Sequence, residues 1–126
     1  MAPLSNKPAR GLAVLTCMDC RIDPLAVLGL ALGDAVILRN AGAQASDDVL
    51  DSLRLAHEKL GVAEVRVVAH TDCAVHGGDD DRASGAALQA AAHIRGAVPG
   101  LRTAAALLDL RTGAVSRPAA ARRPSG

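Results

Sequence analysis

Apolar residues in this chain fall into short runs separated by polar, turn-forming stretches. The run Gly11-Leu-Ala-Val-Leu-Thr-Cys17 is continuous rather than alternating, which fits a strand buried on both faces. Asp23-Pro24 then offers a helix cap followed by a residue suited to the first helical position. Ala35-Val-Ile-Leu-Arg39 reads as a second strand, and Asn40-Ala-Gly-Ala43 as a turn or a close backbone approach. The clearest helix follows: Ser46 can cap it, Asp47 and Asp48 suit its positive end, and Val49, Leu53, Ala56 and Leu60 make one apolar stripe that Gly61 ends. Ala63-Glu-Val-Arg-Val-Val-Ala69 is a third strand, running into His70-Thr-Asp-Cys73.

Strands alternating with helices predict a three-layer α/β domain with a mainly parallel central sheet of about four strands, helices on both faces, and room for an antiparallel edge strand. Val75 to Arg82 is rich in glycine and aspartate and reads as a mobile loop, its Asp79-Asp80-Asp81 run a solvated feature without function. Ala83 to Ala97 is alanine-rich enough for a helix, and Leu101 to Leu110 reads as the last strand, ending in turn residues Asp109 to Gly113. The organisation expected is a flexible segment 1–10, one α/β domain over 11–116, and a disordered Pro/Ala/Arg-rich tail over 117–126. No internal repeat is present.

Composition narrows the function. The 126 residues suit a single domain, and the absence of Phe, Tyr and Trp removes the bulkiest core fillers, so the core should be thin. Without rings to stack on bases, and with a net charge of only +1, nucleic acid is excluded as a partner. No apolar run approaches the eighteen or so residues of a membrane span, and the start does not read as a signal peptide; a cytoplasmic protein is expected, with no membrane partner. In a reducing compartment, three cysteines read as metal ligands or reactive thiols rather than as a disulfide framework.

Two clusters carry the chemistry: Cys17-Met-Asp19-Cys20-Arg21 after the first strand, and His70-Thr-Asp-Cys73 after the third. Singly, Cys17 and Cys73 read as buried thiols and His70 as a turn residue. Jointly, at neighbouring strand ends of an open parallel sheet, they make a ligand site, since such sheets collect ligands beyond their carboxyl edge. Thiolate and imidazole together suit tetrahedral zinc.

These motifs resemble the signatures C-x-D-x-R and H-x-x-C of the beta class of carbonic anhydrases, and Arg39-Asn-Ala-Gly42 is similar to that family's R-N-A-G segment. The resemblance runs from about Gly11 to the last strand. It implies Zn2+ held by Cys17, His70 and Cys73, with Asp19 and Arg21 as a polar dyad beside the fourth coordination position. The activity implied is reversible hydration of carbon dioxide to bicarbonate and a proton, in a homodimer or higher homo-oligomer. In some members the aspartate, here Asp19, itself takes the fourth position and switches the enzyme off. His76, three residues past Cys73, has the chemistry of a proton shuttle, whereas His57 and His93 fall in predicted helices and take no role.

The chain departs from that family at Cys20, a position usually small or hydroxylated, at Ala74, where glycine is usual, and in a shorter stretch after Gly78 with one helical segment fewer. It also lacks the aromatic side chains that often line the family's clefts. Three further readings stay open. Cys20 or Asp19 could close the zinc shell and make a catalytically silent domain, Cys17-x-x-Cys20 could be a redox pair, or a sulfur analogue of carbon dioxide could be the substrate.

Overall fold

A computed structural model describes residues 3–118; most of the expected disordered tail, from residue 119 on, lies outside the described residues. The elements follow the alternation of the sequence. Strand β1 (Leu12–Cys17) is followed by helix α1 (Pro24–Leu28), β2 (Ala35–Asn40), α2 (Asp47–Lys59), β3 (Glu64–His70), a single 3-10 turn (Ala74–His76), α3 (Asp80–Ala97), β4 (Arg102–Leu108) and β5 (Val115–Ser116).

Caps fix where the helices begin. Asp23 accepts a hydrogen bond from the Ala26 N–H with Pro24 in the first helical turn, and Gly29, in the left-handed conformation, ends α1 after five residues. The Ser46 hydroxyl accepts from the Val49 N–H to start α2, which buries Val49, Leu53 and Ala56 of the predicted stripe together with Leu50, while Leu60, the last of the stripe, caps the helix and is half-buried.

The sheet order is β2-β1-β3-β4-β5. Neighbours are parallel from β2 to β4, and β5 pairs antiparallel with β4 through Leu107↔Ser116 and Leu108↔Val115. All of β1 is buried because β2 and β3 flank it and its side chains feed both layers. Ala13 and Leu15 join the larger core with Leu53, Val65, Val67 and Ile94; Leu12 and Val14 join a smaller one with Ile22, Val68 and Leu108. α2 and α3 cover the larger core, while among the described residues the single short helix α1 lies against the smaller one.

The mainly parallel sheet with an antiparallel edge is as expected, and the edge is a fifth strand, two residues after Gly113 that return along β4 and are too short for periodicity to reveal. One expectation needs correction. The segment Val75 to Arg82 is not a loop throughout: Asp79 caps α3 by accepting from the Asp81 and Arg82 N–H groups at 3.0 and 3.1 Å, so the acidic run opens a helix. Three carboxylates at that end also favour the positive pole of the helix. Among the described residues no helix is long and apolar enough to cross a membrane.

Candidate metal centre

The chain leaves β1 toward β2 on one side of the sheet and returns to β3 on the other, so the carboxyl ends of β1 and β3 bound the switch point of the sheet. Crevices at such points bind ligands, because the connections there diverge to opposite faces. Cys17 is the last residue of β1, His70 the last of β3, and Cys73 follows three residues later.

Sγ of Cys17, a ring nitrogen of His70 and Sγ of Cys73 all lie within 4.8 Å of one another, and all three residues are buried. In a tetrahedral zinc site such atoms stand roughly 3.5–3.8 Å apart, given Zn–S and Zn–N bonds of about 2.3 and 2.0–2.1 Å. The tautomer of His70 is set by the backbone: Nδ1 lies 2.7 Å from the Thr71 carbonyl oxygen, to which it can only donate. Nε2 is thereby left with its lone pair, buried and without any hydrogen-bond partner among the described residues. An orphaned imidazole nitrogen beside two thiols is costly unless something ligates it, and the donor set fits zinc.

The sulfurs have supports of their own. The Gly42 N–H donates to Cys17 Sγ at 3.4 Å. Burial pushes the Cys73 thiol above the ordinary cysteine range, and the Cys17 sulfur adds to this, while the Val75 and His76 N–H groups pull it back.

Asp19 and Arg21 are bound to each other. Arg21 donates to Asp19 from its backbone N–H (2.9 Å), from Nε (2.9 Å) and from Nη2 (2.7 Å). These bonds, the side-chain ones first, hold the Asp19 carboxyl well below the usual carboxylate range. Arg21 also reaches the second motif, donating to Asp72 Oδ2 and to the Asp72 carbonyl oxygen, each at 3.1 Å; the two carboxylates hold its guanidinium still more firmly protonated. Asp19 Oδ2 stands 3.9 Å from His70 Nε2.

Cys20 is exposed and stands outside the three-ligand group, although it lines the same concavity of about 300 Å3 as Cys17 and Cys73. Met18, Ala74 and Val75 supply the apolar walls of that concavity. His76 is half-buried and faces a separate depression shared with Gln44 and His93. His57 places Nδ1 2.7 Å from the Val62 carbonyl oxygen, a contact between α2 and the start of the next segment.

One contributor has no role in the sequence reading. Arg39, at the end of β2, donates to the carbonyl oxygens of Cys17 (2.9 Å), Ile22 (3.2 Å) and Asp19 (2.8 Å), gathering the turn that carries the first motif. The available signal was an arginine closing an apolar strand, since a guanidinium carries five N–H donors and no acceptor.

A model of the family described as carbonic anhydrase matches residues 12–117. Beta-carbonic anhydrase 1 of Mycobacterium bovis is 39% identical over 79 residues, covering 63% of this chain and 48% of that protein. Carbon disulfide hydrolase of Acidianus sp. is 47% identical over 64 residues, 51% of this chain and 31% of that one. The chain thus spans about half the length of the first of these relatives and less of the second. The crystal structure of a carbonic anhydrase from Streptococcus mutans superposes with a TM-score of 0.85 at 31% identity, covering 94% of this chain and 87% of that one.

Proposed function

The chain belongs to the carbonic anhydrase family, and on that premise we propose that it holds one zinc ion through Cys17, His70 and Cys73 and catalyses the reversible hydration of carbon dioxide to bicarbonate and a proton. The observation that carries this reading is the buried, unpartnered Nε2 of His70 beside two sulfurs and 3.9 Å from the Asp19 carboxylate. When bound, zinc with one open position lowers the pKa of its water to about 7 and so supplies a nucleophile at neutral pH.

The residues of the chain do the rest. The Thr71 carbonyl keeps His70 in the tautomer that presents Nε2. The Asp19 carboxylate, ionised and clamped by Arg21, accepts a hydrogen bond from the nucleophile and orients it; Arg21 ties that carboxylate to the Cys73 motif through Asp72. Met18, Ala74 and Val75 offer an apolar wall for a nonpolar, linear substrate. Arg21 engages both Asp19 oxygens, and Cys20 is exposed outside the ligand group, which supports an open fourth position over a site closed by either residue. His76 faces a separate depression, so we assign the proton's exit to solvent at the mouth of the concavity.

The test is hydration of carbon dioxide by stopped flow on zinc-replete protein. Hydration above the buffer rate, lost in Asp19→Ala, supports the reading; zinc-loaded protein without hydration up to pH of about 9 rejects it. A second reading, hydrolysis of carbon disulfide, rests on the 47% identity to the Acidianus enzyme and is separated by release of hydrogen sulfide. We also read the chain as a homodimer or higher homo-oligomer. One short helix covers the smaller core, and Ile37, Leu30 and Ala106 are only partly buried there; light scattering at micromolar protein decides it.

A further inference from the structure

We infer that Asn40 is a positioning residue that fixes the hydrogen bond from Gly42 to the Cys17 sulfur, and so sets how strongly that thiolate holds the metal. The inference rests on the zinc reading above and adds to it a residue whose side chain hydrogen-bonds to Gln44 and not to the ligands.

Asn40 is the last residue of β2 and pairs with Cys17, the last residue of β1, and its carbonyl oxygen accepts from the Met18 N–H at 2.8 Å. The chain must then turn away from the sheet, and it does so in four residues. The Asn40 side chain closes this turn from both ends of its amide: Oδ1 accepts from the Gln44 N–H at 2.7 Å, and Nδ2 donates to the Gln44 carbonyl oxygen at 2.8 Å. Gln44 returns the restraint, its Nε2 donating to the Ala41 carbonyl oxygen at 2.6 Å.

Inside the closed turn, two consecutive residues take left-handed backbone conformations, Gly42 at φ 80° and Ala43 at φ 54°. Glycine adopts this readily, but alanine does so only at a cost, so the closure must hold it there. Ala43 is also buried in the larger core, which anchors the turn to the domain. The conformation turns the Gly42 N–H toward Cys17 Sγ, 3.4 Å away. It also brings the turn against the segment that follows Cys73: a Cβ on Gly42 would meet Val75 Cγ1 at 2.9 Å. The turn therefore leans on both cysteine-bearing segments.

An amide donor to a thiolate draws electron density from the sulfur and fixes its direction, and supports of this kind typically change metal affinity by 10- to 100-fold. The Asn40 amide matches the Gln44 backbone with one donor and one acceptor. No other side chain of that length supplies the same pair, since aspartate keeps the acceptor alone and alanine neither.

The test compares wild type, Asn40→Ala and Asn40→Asp as full-length proteins. Apparent zinc affinity is read by competition with a chromogenic chelator. The thiolate-to-metal charge-transfer band is read after substitution with cobalt. Asn40→Ala should hold zinc roughly 10- to 100-fold more weakly and shift the charge-transfer band to lower energy, with Asn40→Asp between it and wild type. A folded Asn40→Ala protein with zinc affinity within about twofold of wild type and an unmoved cobalt band would overturn the inference. Wild type itself supplies a measurement that needs no variant: with spin-active cadmium in the site, the Gly42 amide proton should show a coupling to the metal through the sulfur, and its absence overturns the inference equally. Failure of wild type to take up zinc, cobalt or cadmium is a different result, which removes the metal reading itself.

Discussion

Arg21 and Asp72 join the two halves of the site: Nη1 and Nη2 of Arg21 donate to the side chain and backbone oxygens of Asp72, while Nε and Nη2 hold both oxygens of Asp19. One guanidinium thus bridges the turn after β1 and the turn after β3. Asp72 accepts this contact in a left-handed conformation (φ 54°), with its N–H donating to Asp80 Oδ1 at 3.0 Å. The turn between His70 and Cys73 is thereby also tied to the start of α3.

Arg21→Ala should lower turnover by about 10- to 100-fold while leaving zinc content near wild type. The ordinary Asp carboxyl pKa of 3.8 already leaves Asp19 ionised at neutral pH, so the loss is one of orientation rather than charge. Arg21→Lys should rescue poorly, because an ammonium cannot hold two carboxylate oxygens and a carbonyl in one plane. Stopped-flow rates beside elemental analysis check both statements, and a variant with wild-type turnover would refute the bridging role.

Removing a ligand should cost more than removing its support. Cys73→Ser and His70→Ala are each expected to weaken zinc by more than about 100-fold, whereas Cys20→Ser should leave it within about twofold. Chelator competition on the four proteins gives the ranking, and a large loss in Cys20→Ser would place that exposed thiol in the coordination shell.

The core is free of aromatic rings, so its aliphatic side chains carry the packing. Leu53 and Ile94 are fully buried between the sheet and the two long helices. Leu53→Ala or Ile94→Ala should destabilise the fold by about 2–5 kcal/mol, and Ser46→Ala, which removes the α2 cap, by about 1 kcal/mol. Urea unfolding of metal-free protein measures these differences without the contribution of the bound ion.

Asp109 gives a prediction with a definite sign. The Arg111 N–H, and then its side chain, hold the Asp109 carboxyl below its ordinary value of 3.8. A carboxyl with a depressed folded pKa contributes stability fully above the unfolded value and loses it as pH falls through the folded one. Asp109→Asn should therefore be less stable than wild type at pH 7, and the gap should close as pH falls below about 4. A gap that persists unchanged at pH 3 would show that the charge plays no part in the turn between β4 and β5.

The grouping of Cys17, His70 and Cys73 was legible because these residues sit where the strands stop. β1 and β3 read clearly since a central parallel strand is apolar on both faces, and the spacing His70-x-x-Cys73 needs only a short turn to bring both residues to one point. The start of α3 was illegible for a local reason. Gly77-Gly78-Asp79 carries loop chemistry, and only the two N–H groups accepted by Asp79 reveal that the same residues cap a helix. β5 escaped because two residues carry no periodicity. Arg39 and Asn40 were visible as residues but not as clamps: the carbonyls that Arg39 gathers lie 17 to 22 positions away, and only the sheet register brings them within reach.

X-ray absorption at the zinc edge of purified, zinc-replete protein counts the sulfurs around the metal and so separates a site built on Cys17, His70 and Cys73 from one that also takes Cys20. One zinc per chain is expected, with two sulfurs at about 2.3 Å and two lighter donors at about 2.0–2.1 Å. Three sulfurs, or a chain that retains no zinc after dialysis, would contradict that expectation.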